Sequence, residues 1–260
     1  MNAKADKPLL GRRVIVTRPS HQALALAAPL RELGAEVVLI PALEIAPPMD
    51  AEPLRAAVAN LASYDWLVVT SVNGATALGR ELRAQDVPLH GPLIAAVGVA
   101  TAEALHRLDA ATSRILPDNF NAEQLAIKLA PEVAGKRVLL VQGQSAATSL
   151  QDAIVAAGAH VERVDAYRSI APAILPKMLG LWLLENKNAD AVTFTSAQMA
   201  LNFFRALEAK GAALPPQTVI ASIGPVTSRA LREIGHPSDV EAKSARMEDL
   251  AAALGQYFSE

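Results

Sequence analysis

The sequence predicts an α/β protein of two duplicated lobes, each a doubly wound parallel sheet of flavodoxin-like type, with a cleft between them. Short β-branched runs alternate with longer Ala- and Leu-rich segments of helical period, a pattern typical of parallel sheets with helices on both faces. One half of the chain also repeats the other. A composition of 52% hydrophobic and 19% charged residues over 260 positions excludes a disordered chain.

The elements follow one another in regular order. The segment 14–17 predicts a buried strand, 20–33 a helix that ends at Gly34, and 36–40 the next strand. Further strands are predicted at 66–70, 94–97, 138–141, 161–165, 191–195 and 219–223, and weaker ones at 114–116 and 239–241.

The internal repeat is the most specific signal in the chain. Residues 11–48 align without gaps to residues 135–172, at an offset of 124. The likeness continues at an offset of 125, with Asp65 matching Asp190, and at 126, with Gly98 matching Gly224. Two diverged copies of one α/β unit therefore fill the chain.

Two proline-rich segments, residues 41–53 and 167–176, lie at equivalent points of the two copies. If the chain crosses between lobes at both, one lobe contains residues 1–40 and 172–260, and the other contains residues 44–166. A simple tandem division near residue 134 is the alternative.

Several function classes are excluded or disfavoured by composition. The formal net charge of −2 disfavours a nucleic-acid partner. The absence of cysteine excludes disulfides and thiolate metal sites. The five histidines have no ligand spacing and no dinucleotide loop follows a strand, so we expect no metal and no cofactor. The polar N-terminus and the lack of long apolar runs predict a cytoplasmic protein with no membrane partner. We also expect a monomer.

Hydroxyl side chains recur where predicted strands give way to helices. Parallel strands bind ligands at their carboxyl ends, and helix N-termini there suit carboxylates or phosphates. The alternative is ordinary helix capping by Ser and Thr. Four turns carry the candidate binding residues, which are Thr70, Ser71, Asn73, Gly98, Thr101, Thr195, Ser196, Gly224 and Thr227.

A fifth turn supplies a cation. Arg18 follows the first strand and offers either an anion-binding guanidinium or a solvated surface side chain. Its counterpart in the second copy is the stretch with Gly143 and Gln144, where glycine permits close backbone approach. Tyr167, just past a predicted strand, either donates a proton into the cleft or packs at the crossing.

These residues resemble the uroporphyrinogen-III synthase family over residues 11–254. The resemblance rests on the order and spacing of short motifs, each weak alone. They are Val-Thr-Arg-Pro at 16–19, Gly-Ala-Glu-Val at 34–37, Tyr-Asp-Trp at 64–66, Thr-Ser-Val-Asn at 70–73, Tyr-Arg at 167–168 and Ile-Gly-Pro at 223–225.

The resemblance implies two lobes joined by a two-stranded connection and a lyase that needs no cofactor. The implied substrate is hydroxymethylbilane, a linear tetrapyrrole with acetate and propionate side chains. The implied reaction removes water, inverts ring D through a spirocyclic pyrrolenine and closes uroporphyrinogen III in heme biosynthesis. Tyr167 is the implied proton donor.

One position departs from the family pattern. The family often carries an arginine before the glycine that follows the strand at 138–141, whereas this chain has Gln142 there. One expected carboxylate partner is missing, so the alternative function is a non-catalytic two-lobed protein that binds an anionic small molecule.

Overall fold

A computed structural model describes residues 7–108, 115–116, 122–184 and 188–259. The described part contains ten strands, ten α-helices and three short 3-10 helices. The strands are β1 (Arg13–Val16), β2 (Glu36–Leu39), β3 (Glu44–Ala46), β4 (Trp66–Val69), β5 (Leu93–Ala96), β6 (Arg137–Gly143), β7 (His160–Ile170), β8 (Ala191–Phe194), β9 (Val219–Ser222) and β10 (Val240–Glu241).

The helices alternate with these strands, as the sequence predicts. They are α1 (Leu24–Glu32), α2 (Glu52–Ala59), α3 (Val72–Gln85), α4 (Val99–His106), α5 (Ala122–Leu129), α6 (Ser149–Ala156), α7 (Leu175–Leu184), α8 (Ala197–Glu208), α9 (Pro225–Glu233) and α10 (Met247–Tyr257). The 3-10 helices are Ser20–Gln22, Leu61–Ser63 and Ala130–Glu132. None of the helices in the described ranges has the length and apolar content that crossing a bilayer requires.

The chain divides into two compact units. The first contains Met1–Glu44 and Ile170–Glu260, and the second contains Ile45–Ser169. The chain thus passes from one unit to the other twice. The lobe boundaries expected from the proline-rich segments, and the cleft between the lobes, stay predictions.

The first unit contains a five-stranded sheet in the order β10-β9-β8-β1-β2, and every neighbouring pair is parallel. Counted along the unit, this is the 2-1-3-4-5 order of a doubly wound flavodoxin-like sheet. Its core includes Val14 and Val16 of β1 packed with Leu26, Leu30 and Leu254 from helices.

In the second unit the equivalent strands have the same order in the sheet, although they follow one another in a different order along the chain. Its sheet runs β3-β7-β6-β4-β5, with β6 parallel to both β7 and β4. Beyond β5, Ile115 forms a parallel bridge to Ala95, at the position that β10 takes in the first sheet. Of the predicted strand at 114–116, Arg114 lies outside the described residues. The α/β class and the duplication are therefore confirmed.

Strand β4 shows how the second sheet is buried on both faces. Leu67 and Val69 contribute to one core cluster, whereas Trp66 and Val68 contribute to another. All four side chains are at most 1% exposed. Successive strand side chains point to opposite faces, so a strand covered by helices on both sides reads as a continuous apolar run.

The repeat includes a polar clamp at the amino ends of the strands. Asp190 Oδ2 accepts a 2.8 Å hydrogen bond from the backbone N–H of Arg13, and Asp65 Oδ2 accepts one of the same length from Arg137. The backbone N–H of each aspartate donates back to the carbonyl of its arginine, at 2.8 and 2.9 Å. The clamp ties neighbouring parallel strands at their starts in both units.

Three elements differ from the sequence prediction. The predicted helix at 20–33 is a 3-10 turn followed by α1, and β3 lies in a segment predicted as a crossing. Strand β7 continues past 165, so Tyr167 lies within a strand rather than after it. The reason is that β6 also continues to Gly143, which pairs with Tyr167 after a register irregularity.

Acid stability tests the clamp. The backbone N–H of Arg137 is the main cause that lowers the pKa of Asp65 below its ordinary value, and Lys136 adds to it. Such a carboxylate stabilises the fold above its ordinary pKa, and this contribution is lost as the pH falls through the lowered value. The free energy of unfolding in urea is measured at pH 7 and at about pH 3 for both proteins. We expect it to fall less in Asp65→Asn than in the parent, because the variant has no carboxylate to protonate at this position. Equal losses in the two proteins would contradict this role.

Candidate active site

The predicted site residues of the second unit lie at the carboxyl ends of its strands. After β4, Ser71 is the N-cap of α3, and its Oγ accepts a 3.1 Å hydrogen bond from the backbone N–H of Gly74. Thr70 precedes this cap, and its backbone N–H donates to the carbonyl of Val141 at 3.3 Å. Asn73 is half-buried in the first turn of α3. The capping alternative is therefore correct for Ser71, and a ligand role would add to it.

Tyr167 meets this cap directly. Ser71 Oγ donates a 3.1 Å hydrogen bond to Tyr167 Oη. Because Ser71 Oγ already accepts from Gly74, its own proton is available for Tyr167. The phenol oxygen is then an acceptor in this pair, and its proton is free for a third group. Tyr167 is half-buried, so its ring packs while its hydroxyl keeps a donor function.

Gly143 fits beneath the Tyr167 ring. A Cβ at position 143 would lie 2.9 Å from Tyr167 Cζ and 3.1 Å from its Oη. The register irregularity between Gln142 and Gly143 brings Gly143 opposite Tyr167. Local irregularities of this kind re-aim side chains at strand ends. A side chain at position 143 would compete with the ring for this space, so glycine allows the ring to keep its observed position.

The rest of the β6 end is held by an arginine that sequence reasoning missed. The backbone N–H of Gln144 donates to the carbonyl of Tyr167 at 2.8 Å, while its side chain is exposed. Arg163 on β7 donates to the carbonyls of Gln144 and Ala146 at 3.2 and 3.4 Å. With the Gln142 amide turned so that its oxygen faces the guanidinium, which pairs donors with acceptors, that buried oxygen accepts from Arg163 Nε at 2.9 Å. The available signal was a long cation in the predicted strand 161–165, one strand away from the turn with Gly143 and Gln144.

At the turn after β5, the groups available to a ligand are backbone N–H groups of the helix N-terminus. Gly98 is the N-cap of α4 and has no side chain to satisfy the free N–H groups of the first turn. Thr101 lies one turn into the helix and is only 5% exposed. A ligand would therefore meet the helix N-terminus itself before the Thr101 hydroxyl.

In the first unit, Arg18 and Thr195 meet at the carboxyl ends of neighbouring strands. Arg18 Nη1 donates to Thr195 Oγ1 at 3.2 Å, and Arg18 Nε donates to the carbonyl of Gln22 at 3.1 Å. Partial burial lowers the pKa of Arg18 below its ordinary value. The arginine is therefore anchored rather than freely solvated, and it adds positive charge beside the α8 N-terminus.

The remaining candidates repeat the pattern of the second unit. Ser196 is the N-cap of α8 and accepts a 3.3 Å hydrogen bond from the N–H of Met199. Gly224 is the N-cap of α9, and Thr227 in its first turn is 3% exposed. Within each unit the structure brings together one group of candidates, Ser71 with Gly143 and Tyr167, and Arg18 with Thr195. Their binding and catalytic roles stay predictions.

Comparison with known proteins gives one consistent result. The family model described as "Uroporphyrinogen-III synthase HemD" matches residues 25–252. A uroporphyrinogen-III synthase of Synechococcus elongatus is 33% identical, over 97% of this chain and 98% of its own length. A mutant uroporphyrinogen III synthase of Thermus thermophilus shares the fold with a TM-score of 0.63 at 21% identity, covering 95% of this chain and 99% of its own.

A second solved structure agrees. The uroporphyrinogen-III synthetase of Helicobacter pylori has a TM-score of 0.62 at 17% identity and covers 95% of this chain and 99% of its own. Fold, repeat and strand-end turns define a duplicated α/β protein with helix N-termini and a tyrosine at the carboxyl ends of its parallel strands. The chain belongs to the uroporphyrinogen-III synthase family. The comparisons give no support to the alternative of a non-catalytic binding protein.

Substitution of Gly143 tests the close approach to Tyr167. In Gly143→Ala the new Cβ overlaps the mobile end of the tyrosine side chain, so the ring moves at modest cost in stability. We expect turnover to fall at least about tenfold, because small misplacements of reacting groups are costly. Gly180→Ala is the control, since an added Cβ there has nothing within 4 Å. Equal activity in the two variants would show that the Tyr167 position is unimportant.

Proposed function

We propose that this chain is a lyase that converts hydroxymethylbilane to uroporphyrinogen III with loss of one water. Family membership supports the reaction. The observation that carries the proposal is the Tyr167 hydroxyl, which lies over Gly143 and accepts a hydrogen bond from Ser71. Because the phenol oxygen is the acceptor in this hydrogen bond, its own proton is available for transfer to the substrate.

The substrate carries several carboxylates, and the strand-end turns match them. Helix N-termini stabilise negative charge through unpaired N–H groups and the helix dipole. In this proposal the second unit contacts substrate through Thr70 and Asn73, through the helix N-terminus at Ser71 rather than the Ser71 hydroxyl, and through the Gly98 turn with Thr101. Arg18, Thr195 and Ser196, and the Gly224 turn with Thr227, contact it from the first. Binding of this kind holds a flexible chain in a closing geometry, which is the main demand of the reaction.

Tyr167 acts as the general acid for the leaving group. The C–O bond of the ring A hydroxymethyl group breaks as electrons flow from the ring A pyrrole nitrogen. The Tyr167 proton moves to the departing oxygen, which leaves as water. Ser71 then donates its hydrogen bond to the phenolate oxygen and stabilises the charge. The proton that the tetrapyrrole loses when the macrocycle closes restores the phenol.

The chain's own residues carry every step of this account, so neither a metal nor an organic cofactor is included. The polyanionic substrate is the only partner proposed. Cytoplasmic location, a monomeric state and the absence of nucleic-acid and membrane partners stay predictions.

Product analysis tests the proposed function directly. Purified protein is incubated with hydroxymethylbilane in the presence of EDTA, and the products are oxidised and separated as uroporphyrin isomers. We expect type III to dominate, because spontaneous closure without ring D inversion gives type I. Type I alone, at the rate of the protein-free control, would contradict the proposal and indicate a binding protein without activity.

A glycine substitution separates ligand binding from capping at Ser196. Ser196→Gly removes the hydroxyl but retains a residue that caps helices almost as well as serine, at a cost of a few tenths of a kcal/mol. A lost hydrogen bond to a substrate carboxylate, of about 1.5–3 kcal/mol, corresponds to roughly a ten- to hundredfold rise in KM. Ser244→Gly is the control, since Ser244 precedes a helix but is no candidate ligand residue. An unchanged KM in Ser196→Gly would assign this hydroxyl to capping alone.

A further inference from the structure

Arg163 contacts the segment 142–146, which contains the end of β6 and the start of the turn that follows it. Its Nη2 donates to the carbonyls of Gln144 and Ala146. With the Gln142 amide oriented to pair donors with acceptors, Nε and Nη1 also donate to its side-chain oxygen at 2.9 and 3.2 Å. Nη2 also lies 3.5 Å from Asp165 Oδ1. The guanidinium side chain is 19% exposed. One planar cation therefore fixes three points of a five-residue segment.

That segment is in contact with Tyr167 at two places. The N–H of Gln144 donates to the Tyr167 carbonyl at 2.8 Å, and Gly143 lies beneath the tyrosine ring. A shift of the segment would move both contacts together. Arg163 itself makes no hydrogen bond to the Tyr167 hydroxyl, which is bonded to Ser71.

The internal repeat allows the contact between Arg163 and Gln142 to be compared with the equivalent strand end of the first unit. Gln142 is the counterpart of Arg18 at the offset of 124, and Arg18 is anchored beside Thr195 in the first unit. In the second unit the guanidinium at this strand end comes from Arg163 on the neighbouring strand. Both units thus have an arginine at the carboxyl ends of the equivalent strands β1 and β6, but the two arginines come from different positions in the repeat.

We propose that Arg163 is a positioning residue that sets the Tyr167 phenol through the segment 142–146. The catalytic part of this inference rests on the proposed function. A direct role as a substrate carboxylate ligand fits less well, because most of the guanidinium donors are already used within the protein. Arg163 lines a cavity of about 370 Å³ together with Asp50 and Asp165. The negative charges of these two carboxylates oppose binding of an anion there.

Fluorine NMR tests the positioning without reference to activity. The chain has three tyrosines, so 3-fluorotyrosine labelling gives three signals, and Tyr167→Phe identifies that of Tyr167. We expect Arg163→Gln to shift or broaden the Tyr167 signal and leave Tyr64 and Tyr257 unchanged. Arg137→Gln is the control, since the Arg137 guanidinium lies 5.1 Å from the Tyr64 ring and should move only that signal. An unmoved Tyr167 signal in Arg163→Gln overturns the proposal.

Kinetics then test whether the position matters. We expect Arg163→Gln to lower kcat about tenfold with KM within about twofold, and Arg163→Lys to restore part of the loss. In a Tyr167→Phe background the same change should lower kcat less than about twofold, because the group that it positions is absent. Equal losses in both backgrounds, or an effect on KM alone, would overturn the proposal. Failure of the parent protein to form type III product would instead reject the proposed function, and the fluorine result would still decide the placement of Tyr167.

Discussion

Parallel pairing of the interior strands is the constraint on which the rest of each unit depends. Strands β1 and β6 each pair in parallel with neighbours on both sides, so the carboxyl ends of three adjacent strands reach the same edge. The aspartate clamps of Asp65 and Asp190 tie the opposite edge. Every turn hydroxyl and helix N-terminus described above follows from this geometry, because each lies where a parallel strand ends.

The second unit departs from this regularity at one place, and that place contains Tyr167. An even pairing of β6 with β7 would continue residue by residue, but the register changes between Gln142 and Gly143. The missing side chain of Gly143 leaves space for the phenol, and Ser71 fixes the phenol oxygen. A helix cap, a strand irregularity and a glycine therefore act on one hydroxyl group. Regular parts of the fold supply the groups proposed for binding, whereas the irregular part supplies the group proposed for proton transfer.

The sequence predicts the fold well because its main signals are local. Apolar runs and helical periods are properties of neighbouring residues, and the repeat with its offset of 124 shows that the pattern occurs twice. Strand β3 and the end of β7 escape prediction because they are formed by pairing with distant strands rather than by local propensity. In the site, Ser71 and Tyr167 could be selected as candidates, but their contact joins residues 96 positions apart. Arg163 was missed because only tertiary structure shows which carbonyls it reaches.

In the proposed reaction the Tyr167 hydroxyl, positioned by Ser71 and by the space at Gly143, gives its proton to the departing substrate hydroxyl. Single-turnover measurement with Tyr167→Phe tests this proton transfer most directly, because phenylalanine keeps the ring over Gly143 and removes only the hydroxyl. A positioned general acid contributes about 10²–10⁴-fold, and the pyrrole nitrogen already assists departure, so we expect a loss of about 10²-fold with unchanged unfolding by urea. A Tyr167→Phe protein with the parent rate and full type III selectivity would contradict the claim, and would show that folding of the substrate alone drives closure.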